Sequence, residues 1–221
     1  TNTTVAIGYY ALQALTTGSN NTAVGHYTLA NCTTGGNNTA LGYGALDACT
    51  TSVSNTCIGS NAGGSITTGN GENVCIGNNC AVNMTTAQQN NFIGDNCAGG
   101  ATLTGSSNVS VGDNSSYAMT TGEQNAVVGA SAMNTVTTGS YNSAVGFYCL
   151  GSLTTGEYNT AIGRDAGGNL TTGSGNCFLG QDAGKSGSPS GQVTTGSNNM
   201  VLGNNSIANL YCADTSISSS D

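Results

Sequence analysis

The chain has very few charged side chains, and basic residues are the scarcest of them. Its 221 residues include two basic ones, Arg164 and Lys185, and ten acidic ones, which gives a net charge of −8. Only 5% of the residues are charged, against about 25% in an average domain. A nucleic-acid groove needs clustered Lys and Arg to displace counterions, so the composition excludes a nucleic acid as partner.

Other features are missing as well. No apolar run approaches the ~20 residues of a membrane span, and no basic-then-apolar leader opens the chain, so membrane insertion is not expected. Tryptophan is absent and there is one proline, Pro189. Disorder driven by charge is excluded because 37% of the residues are apolar. Glycine, Thr, Asn, Ser and Ala take the place of the charged residues, and this composition calls for a search for repeats.

An aliphatic residue followed by glycine recurs along almost the whole chain. Ten of the eleven spacings between these glycines, here called the anchor glycines, are 17 or 18 residues, and the last is 23. The anchor glycines are Gly8, Gly25, Gly42, Gly59, Gly77, Gly94, Gly112, Gly129, Gly146, Gly163, Gly180 and Gly203. A small residue follows three positions later, an apolar one usually seven positions later, and a Thr-Thr pair after that in most units.

An asparagine stands four residues before the anchor glycine in eleven of the twelve units, with Thr4 as the exception. The asparagines are Asn21, Asn38, Asn55, Asn73, Asn90, Asn108, Asn125, Asn142, Asn159, Asn176 and Asn199. In a stacked structure, each side-chain amide can bond to the coils above and below, as in Asn ladders. We expect these residues to form a structural ladder.

A repeat of 17–18 residues is too short for a pair of helices, and its short β-branched runs are bounded by turn residues. The expected fold is all-β, a parallel β-solenoid of about twelve coils, with strands about 4.8 Å apart and a rod length of roughly 55–60 Å. Equivalent positions of successive coils then form columns. We expect the aliphatic column to fill the interior and the glycine to allow a turn with positive φ.

The residue two before each anchor glycine is also mainly apolar, although it points to the opposite face of the strand. Two apolar faces indicate that one is buried inside the coil and the other against neighbouring chains. We therefore expect a homo-oligomer, most simply a homotrimer. A wider single coil that buries both columns is the alternative.

The unit N-T-A-[VIL]-G-x-x-A-L-x-x-L-T-T-G is clearest at Asn21–Leu29, Asn38–Leu46 and Asn159–Gly173. It resembles the head repeats of trimeric autotransporter adhesins, and more closely the repeat arrays of phage tail fibres and tailspikes. The resemblance covers residues 1–203 and implies a trimer of left-handed parallel β-rolls.

The domain limits follow from where the repeat holds. We expect a solenoid domain over 1–203, with an extended loop at 181–198 in the longest interval, and a transition segment over 204–221. Ser220-Asp221 resembles the junction that precedes an intramolecular chaperone with self-cleaving activity in many fibres. That C-terminal domain would be absent from this sequence.

The nine cysteines are expected to be free small hydrophobes, since all but Cys212 fall on columns that hold Ala, Val, Phe, Thr or Leu elsewhere. Stacked pairs would be close enough for disulfides, so bridging stays open. No metal site is expected, because no C-x-x-C is followed by a second pair of ligands.

Catalysis and cofactors are not expected either. His26 is a turn residue with no partner base or acid, and Asp95 and Asp113 are interpreted as solvated turn residues.

Aromatic residues in the turns are the candidates for surface recognition. They are Tyr9, Tyr10, Tyr27, Tyr43, Phe147 and Tyr148, with Tyr141 and Tyr158 stacked in another column. Such residues suit sugar rings and an inter-chain seam equally well. Lys185 is added because it lies in the insertion of the last interval, where a protruding loop could bind or could be structural.

The predicted function is a non-enzymatic, receptor-binding fibre segment of a phage tail, located in the virion. Its partners would be further copies of the chain and a host cell-surface receptor, with a glycan as one candidate. A bacterial surface adhesin of the trimeric autotransporter kind is the alternative. An ice-binding solenoid is a third hypothesis, although ice faces usually need T-x-T, whereas adjacent threonines point to opposite sides.

Overall fold

The computed structural model describes residues 3–188 and 190–209 and is all-β. Twelve three-residue strands form one parallel sheet in which each strand pairs with the next in sequence order. The predicted parallel β-solenoid is confirmed. The strands are β1 Val5–Ile7, β2 Thr22–Val24, β3 Thr39–Leu41, β4 Thr56–Ile58, β5 Val74–Ile76, β6 Asn91–Ile93, β7 Val109–Val111, β8 Ala126–Val128, β9 Ser143–Val145, β10 Thr160–Ile162, β11 Cys177–Leu179 and β12 Met200–Leu202.

The sheet register follows the sequence repeat directly. Val5 pairs with Thr22 and Thr39 pairs with Thr56, each 17 residues on, whereas Cys177 pairs with Met200 across the longest interval. Backbone hydrogen bonds between coils continue outside the strands, for example from the amide of Leu29 to the carbonyl of Ala45 at 3.0 Å. The turns are therefore stacked as regularly as the strands.

The prediction of which strand face is buried was wrong. The residue two before the anchor glycine lies inside the coil, and the aliphatic residue directly before the glycine faces outward. Ala40 is fully buried, whereas Leu41 is 46% exposed. The inward column holds residues from alanine to phenylalanine, for example Ala40 and Phe178. The outward face is still apolar, so the reason for expecting an oligomer remains.

Packing inside the coil matches large residues to small ones. Phe178 lies in the inward column with its ring against Gly167 and Gly184, where any Cβ would collide with the ring. The small residues three after the anchor glycine and the apolar residues seven after it are largely buried. Leu29 and Leu46, each four after an anchor glycine, are fully buried at φ near 50° and fill the opposite wall.

Two features of the structure require glycine at the anchor position. Gly25 has a φ of +137°, as the predicted turn requires, and a Cβ there would lie 2.5 Å from the carbonyl oxygen of Gly42 in the next coil. The close approach of successive coils thus excludes a side chain at the anchor position, independently of the φ value.

The asparagine ladder is confirmed. The Asn125 side chain is almost fully buried, and its Nδ2 donates to Asn108 Oδ1 in the previous coil and to the Gly139 carbonyl in the next, both at 3.0 Å. Its backbone N–H also donates to Asn108 Oδ1. The ladder provides partners for polar groups in an otherwise apolar interior.

The insertion in the last interval leaves and rejoins the regular coil. The chain returns at Val193, which is buried and whose amide donates to the Gly184 carbonyl at 2.8 Å. Thr171 then pairs with Thr194, 23 residues on. Pro189, Cys212 and the Ser220-Asp221 junction lie outside the described residues, as does most of the predicted transition segment. Within the described ranges, no helix has the length and apolarity to cross a membrane.

Candidate functional site: an aromatic surface with a groove

Four of the predicted recognition residues, Tyr9, Tyr10, Tyr27 and Tyr43, come together on the surface of the first three coils. His26 joins them: its ring stacks on Tyr27 with centroids 4.3 Å apart and meets Tyr43 edge-on at 5.5 Å. Tyr10 stacks on Tyr27 at 5.2 Å. We call these five residues the aromatic cluster. All are exposed, Tyr9 by 64%.

The backbone ladder sets the spacing of this cluster. The first two residues after each anchor glycine form two adjacent columns, and the amide of the second residue donates to the carbonyl of the first residue in the preceding coil. Tyr27 N donates to the Tyr9 carbonyl and Gly44 N donates to the His26 carbonyl, both at 3.0 Å. Tyr10 and Tyr27 have φ values near 60°, so the chain turns sharply and projects the rings outward. The rings are thus held by the rod rather than by a flexible loop.

A groove of about 340 Å³ opens beside the aromatic cluster. It is lined by Gln13, Tyr27, Ala30, Asn31, Tyr43, Gly44 and Asp47. The column that holds Gln13 and Asp47 has the small Ala30 between them, and Gly44 lacks the ring that Tyr10 and Tyr27 supply in the column beside it. Two local gaps in side-chain size therefore produce the hollow.

Asn31 and Asp47 give the groove a polar, acidic rim, and no basic residue lines it. The Nδ2 of Asn31 donates to the Asp47 backbone carbonyl at 2.8 Å, which fixes the amide against the rim. Partial burial raises the pKa of the Asp47 carboxyl, opposed in part by backbone hydrogen bonds.

Sequence reasoning missed Gln13, Asn31 and Asp47. A change of side-chain size within a column, Gln to Ala to Asp, is the signal that could have found them.

Phe147 and Tyr148, the other predicted aromatic pair, lie about six coils along the chain from the aromatic cluster. Their ring centroids are 6.4 Å apart. Tyr141 and Tyr158 form a separate stack, with centroids 4.8 Å apart and planes within 3°. The predicted recognition residues are therefore distributed over three places rather than one.

Lys185 takes part in a network of ion pairs. Its Nζ lies 2.7 Å from Asp165 Oδ1, and its side chain is 27% exposed. Arg164 bonds the same carboxylate at 2.8 Å and reaches Asp182 at 3.3 Å. Both cations of the chain are thus held against the rod near the start of the insertion.

The Asp95 carboxylate, which resembles a catalytic acid, forms hydrogen bonds with asparagine side chains. Asp95 accepts hydrogen bonds from Asn78 at 2.9 Å and from Asn96 at 2.8 Å. Residues 3–188 and 190–209 contain no group of three His, Cys, Asp or Glu side chains placed to hold a metal ion.

The cysteines that the structure describes are free and, apart from the half-buried Cys177, fully buried. Burial raises the pKa of the Cys149 thiol to about 12. The pKa of Cys97 is raised further by its hydrogen bond with Cys80 and by burial. Such thiols stay protonated and act as small apolar side chains.

The Thr-Thr pairs divide into an inner and an outer threonine. Thr33 is half-buried, and its Oγ1 donates to the Thr50 carbonyl at 3.1 Å, whereas Thr34 is exposed. Each pair of this kind offers one free threonine face to solvent.

No protein family, curated protein or solved structure matches this chain. The functional interpretation therefore rests on the geometry of the rod and its surface.

Proposed function

We propose that this chain is a segment of a phage tail fibre that attaches the virion to a host cell surface, working as a trimer of left-handed β-rolls without enzymatic activity. The resemblance of the repeats to fibre and adhesin arrays supports the proposal, together with a regular rod and an exposed apolar sheet face. A bacterial surface adhesin of the trimeric autotransporter kind would use the same features and is the alternative.

The observation that carries the proposal is the outward aliphatic column of the sheet. Its members recur with the strands, about 4.8 Å apart, along the rod. The most exposed of them are Ile7, Leu41, Ile93, Val128, Val145 and Ile162. Soluble monomers rarely leave a long apolar stripe in water. A second and third copy of this chain would present the same spacing, so self-association covers the stripe in register.

Light scattering after gel filtration tests the assembly. The full chain should have three times the mass of its 21.7 kDa protomer. Leu41→Lys combined with Val128→Lys should give monomers, because stacked charges would be buried at the interface. Thr121→Lys combined with Thr138→Lys, which places the same two charges on exposed threonines, should remain trimeric. A monomeric wild-type chain would exclude the proposed assembly.

The coding sequence after Asp221 distinguishes phage fibre from surface adhesin. A chaperone domain there supports the fibre, whereas a coiled-coil stalk followed by a membrane anchor would overturn it in favour of the adhesin. Attachment itself is measured by binding of the labelled chain to a panel of bacterial strains. Binding to none of them would count against attachment by this segment.

A further inference from the structure

We propose that the groove between Tyr27 and Tyr43 binds a neutral sugar residue of a surface glycan. The inference rests on the proposed attachment function and names the class of receptor for it. The hollow lies where Ala30 and Gly44 have larger neighbours in the adjacent coils.

The aromatic cluster supplies a rigid apolar wall. Tyr27 and Tyr43 have ring centroids 6.5 Å apart and nearly perpendicular planes, so one ring can face a ligand while the other closes the side. His26 and Tyr10 both stack on Tyr27, with ring centroids 4.3 and 5.2 Å away, so Tyr27 closes the side. Tyr43 meets its neighbours edge-on and offers its ring face to the ligand. An apolar ring face beside polar tips matches the mixed surface of a sugar, whose C–H face is apolar and whose hydroxyls are polar.

The rim supplies the polar partners. Asn31 uses its Nδ2 on the Asp47 carbonyl and keeps its Oδ1 as an acceptor. The Asp47 carboxylate adds acceptors, and the Gln13 amide adds a donor and an acceptor. At about 340 Å³, the groove lies at the lower end of the roughly 300–1,000 Å³ found for small-ligand sites, which suits one ring.

The negative charge at the groove determines which class of sugar it can bind. The chain carries −8 overall, Asp47 lines the groove, and the lining residues include no Lys or Arg. An acidic sugar would meet a carboxylate with no cation to pair it. The expected ligand is therefore neutral.

The shape of the groove argues against an inter-chain seam at this place. The columns that line the groove change residue type from coil to coil, so a copy of the chain docked in register would not present a repeated side chain that fills it. A separate ligand of about one ring fills it without disturbing the periodic contacts elsewhere.

Saturation-transfer NMR on the full chain tests the proposal, with the methyl glycosides of glucose, galactose, mannose and N-acetylglucosamine as probes. We expect at least one to bind with a Kd on the order of 1 mM, as suits a shallow site. Tyr43→Ala should weaken that binding about tenfold, through loss of the ring face. Tyr117→Ala, which removes a tyrosine of comparable exposure four coils away, should leave it unchanged.

Ala30→Gln fills the floor of the groove. Gln13 shows that the same column accepts glutamine one coil earlier, so the variant should keep the wild-type melting temperature and lose binding. The proposal is overturned if every neutral glycoside has a Kd well above ~1 mM. It is also overturned if Ala30→Gln binds a glycoside as tightly as wild type does, or if methyl glucuronide binds more tightly than the neutral probes. A trimer that binds no glycoside would contradict this inference alone, and a monomer that binds one would contradict the assembly alone.

Discussion

The side-chain oxygen of Asn108 accepts two hydrogen bonds from Asn125, one from Nδ2 and one from the backbone N–H, both at 3.0 Å. Asn108 in turn donates its own Nδ2 to the Gly122 carbonyl at 2.9 Å. Each amide thus provides partners for polar groups of the coil that follows it. Both asparagine side chains are buried, so water cannot replace these bonds.

Asn108→Ala should destabilise the fold by about 3 kcal/mol, because the Asn125 backbone N–H and the Gly122 carbonyl lose their buried partner. Urea unfolding followed by circular dichroism measures the change. Thr121→Ala, an exposed position of the same coil, should change stability by less than about 0.5 kcal/mol. Equal losses in the two variants would contradict a special contribution of the ladder.

Thr4→Asn should stabilise the chain by about 1 kcal/mol. Thr4 is the one position of the column without asparagine, and its Oγ1 is buried without a hydrogen-bond partner in the described part of the chain. An asparagine there would offer Asn21 N–H the acceptor that Asn21 itself offers to Asn38 at 3.0 Å. Thr4→Val should not raise the melting temperature, since it removes the hydroxyl without supplying the acceptor. If valine stabilises as much as asparagine, the added bond is not the cause.

The repeat made most of the fold predictable. Asn38, the anchor glycine Gly42 and the buried Ala45 all lie where their columns predicted, because each column has one structural requirement in every coil. Choosing between Ala40 and Leu41 for the interior failed, since both are apolar and side-chain size does not decide: Phe178 lies inward as well. The pattern of a single strand does not describe which of its two faces the coil closes over.

The candidate site was predicted only in part. Repetition placed Tyr27 and Tyr43 on one surface, as expected from stacking. The groove depends on Ala30 and Gly44, which leave gaps between larger neighbours and lie in columns that have no consensus residue. Reasoning from the consensus of a repeat passes over such variable columns, and these are the positions where a local site can form.

Gly112→Ala should destabilise the fold by more than about 3 kcal/mol, since backbone strain and collision add. Gly112 has a φ of +142°, and a Cβ there would lie 2.5 Å from the backbone carbonyl group of Gly129. Gly69→Ala keeps a strained backbone without the collision: Gly69 has a φ of +103°, and the nearest atom, the Thr86 carbonyl oxygen, is 3.6 Å from its Cβ position. We expect it to cost about 1 kcal/mol. Thermal unfolding of both variants measures the difference, and similar melting temperatures would contradict the close-approach explanation.

Alkaline pH should destabilise the chain through its buried thiols, and Cys149 allows one of them to be isolated. Burial raises its pKa to about 12 in the folded chain, whereas an unfolded cysteine titrates near ~8.5. Below about pH 8.5 the thiol is neutral in both states and has no pH-dependent effect. Above that value the unfolded state loses the proton first, so the stability that the neutral thiol contributes is lost progressively up to about pH 12.

Cys149→Ala is the matched variant, because Ala132 and Ala166 occupy the same column in the neighbouring coils. Between about pH 9 and pH 10, the unfolding free energy of wild type should fall by about 1.2 kcal/mol more than that of the variant, close to the limit of one proton. Urea titrations of both chains at these two pH values measure the slopes, and the thiols common to both chains cancel. Parallel slopes would mean that Cys149 ionises as readily in the folded chain as in the unfolded one, and that the interior does not exclude water at this coil.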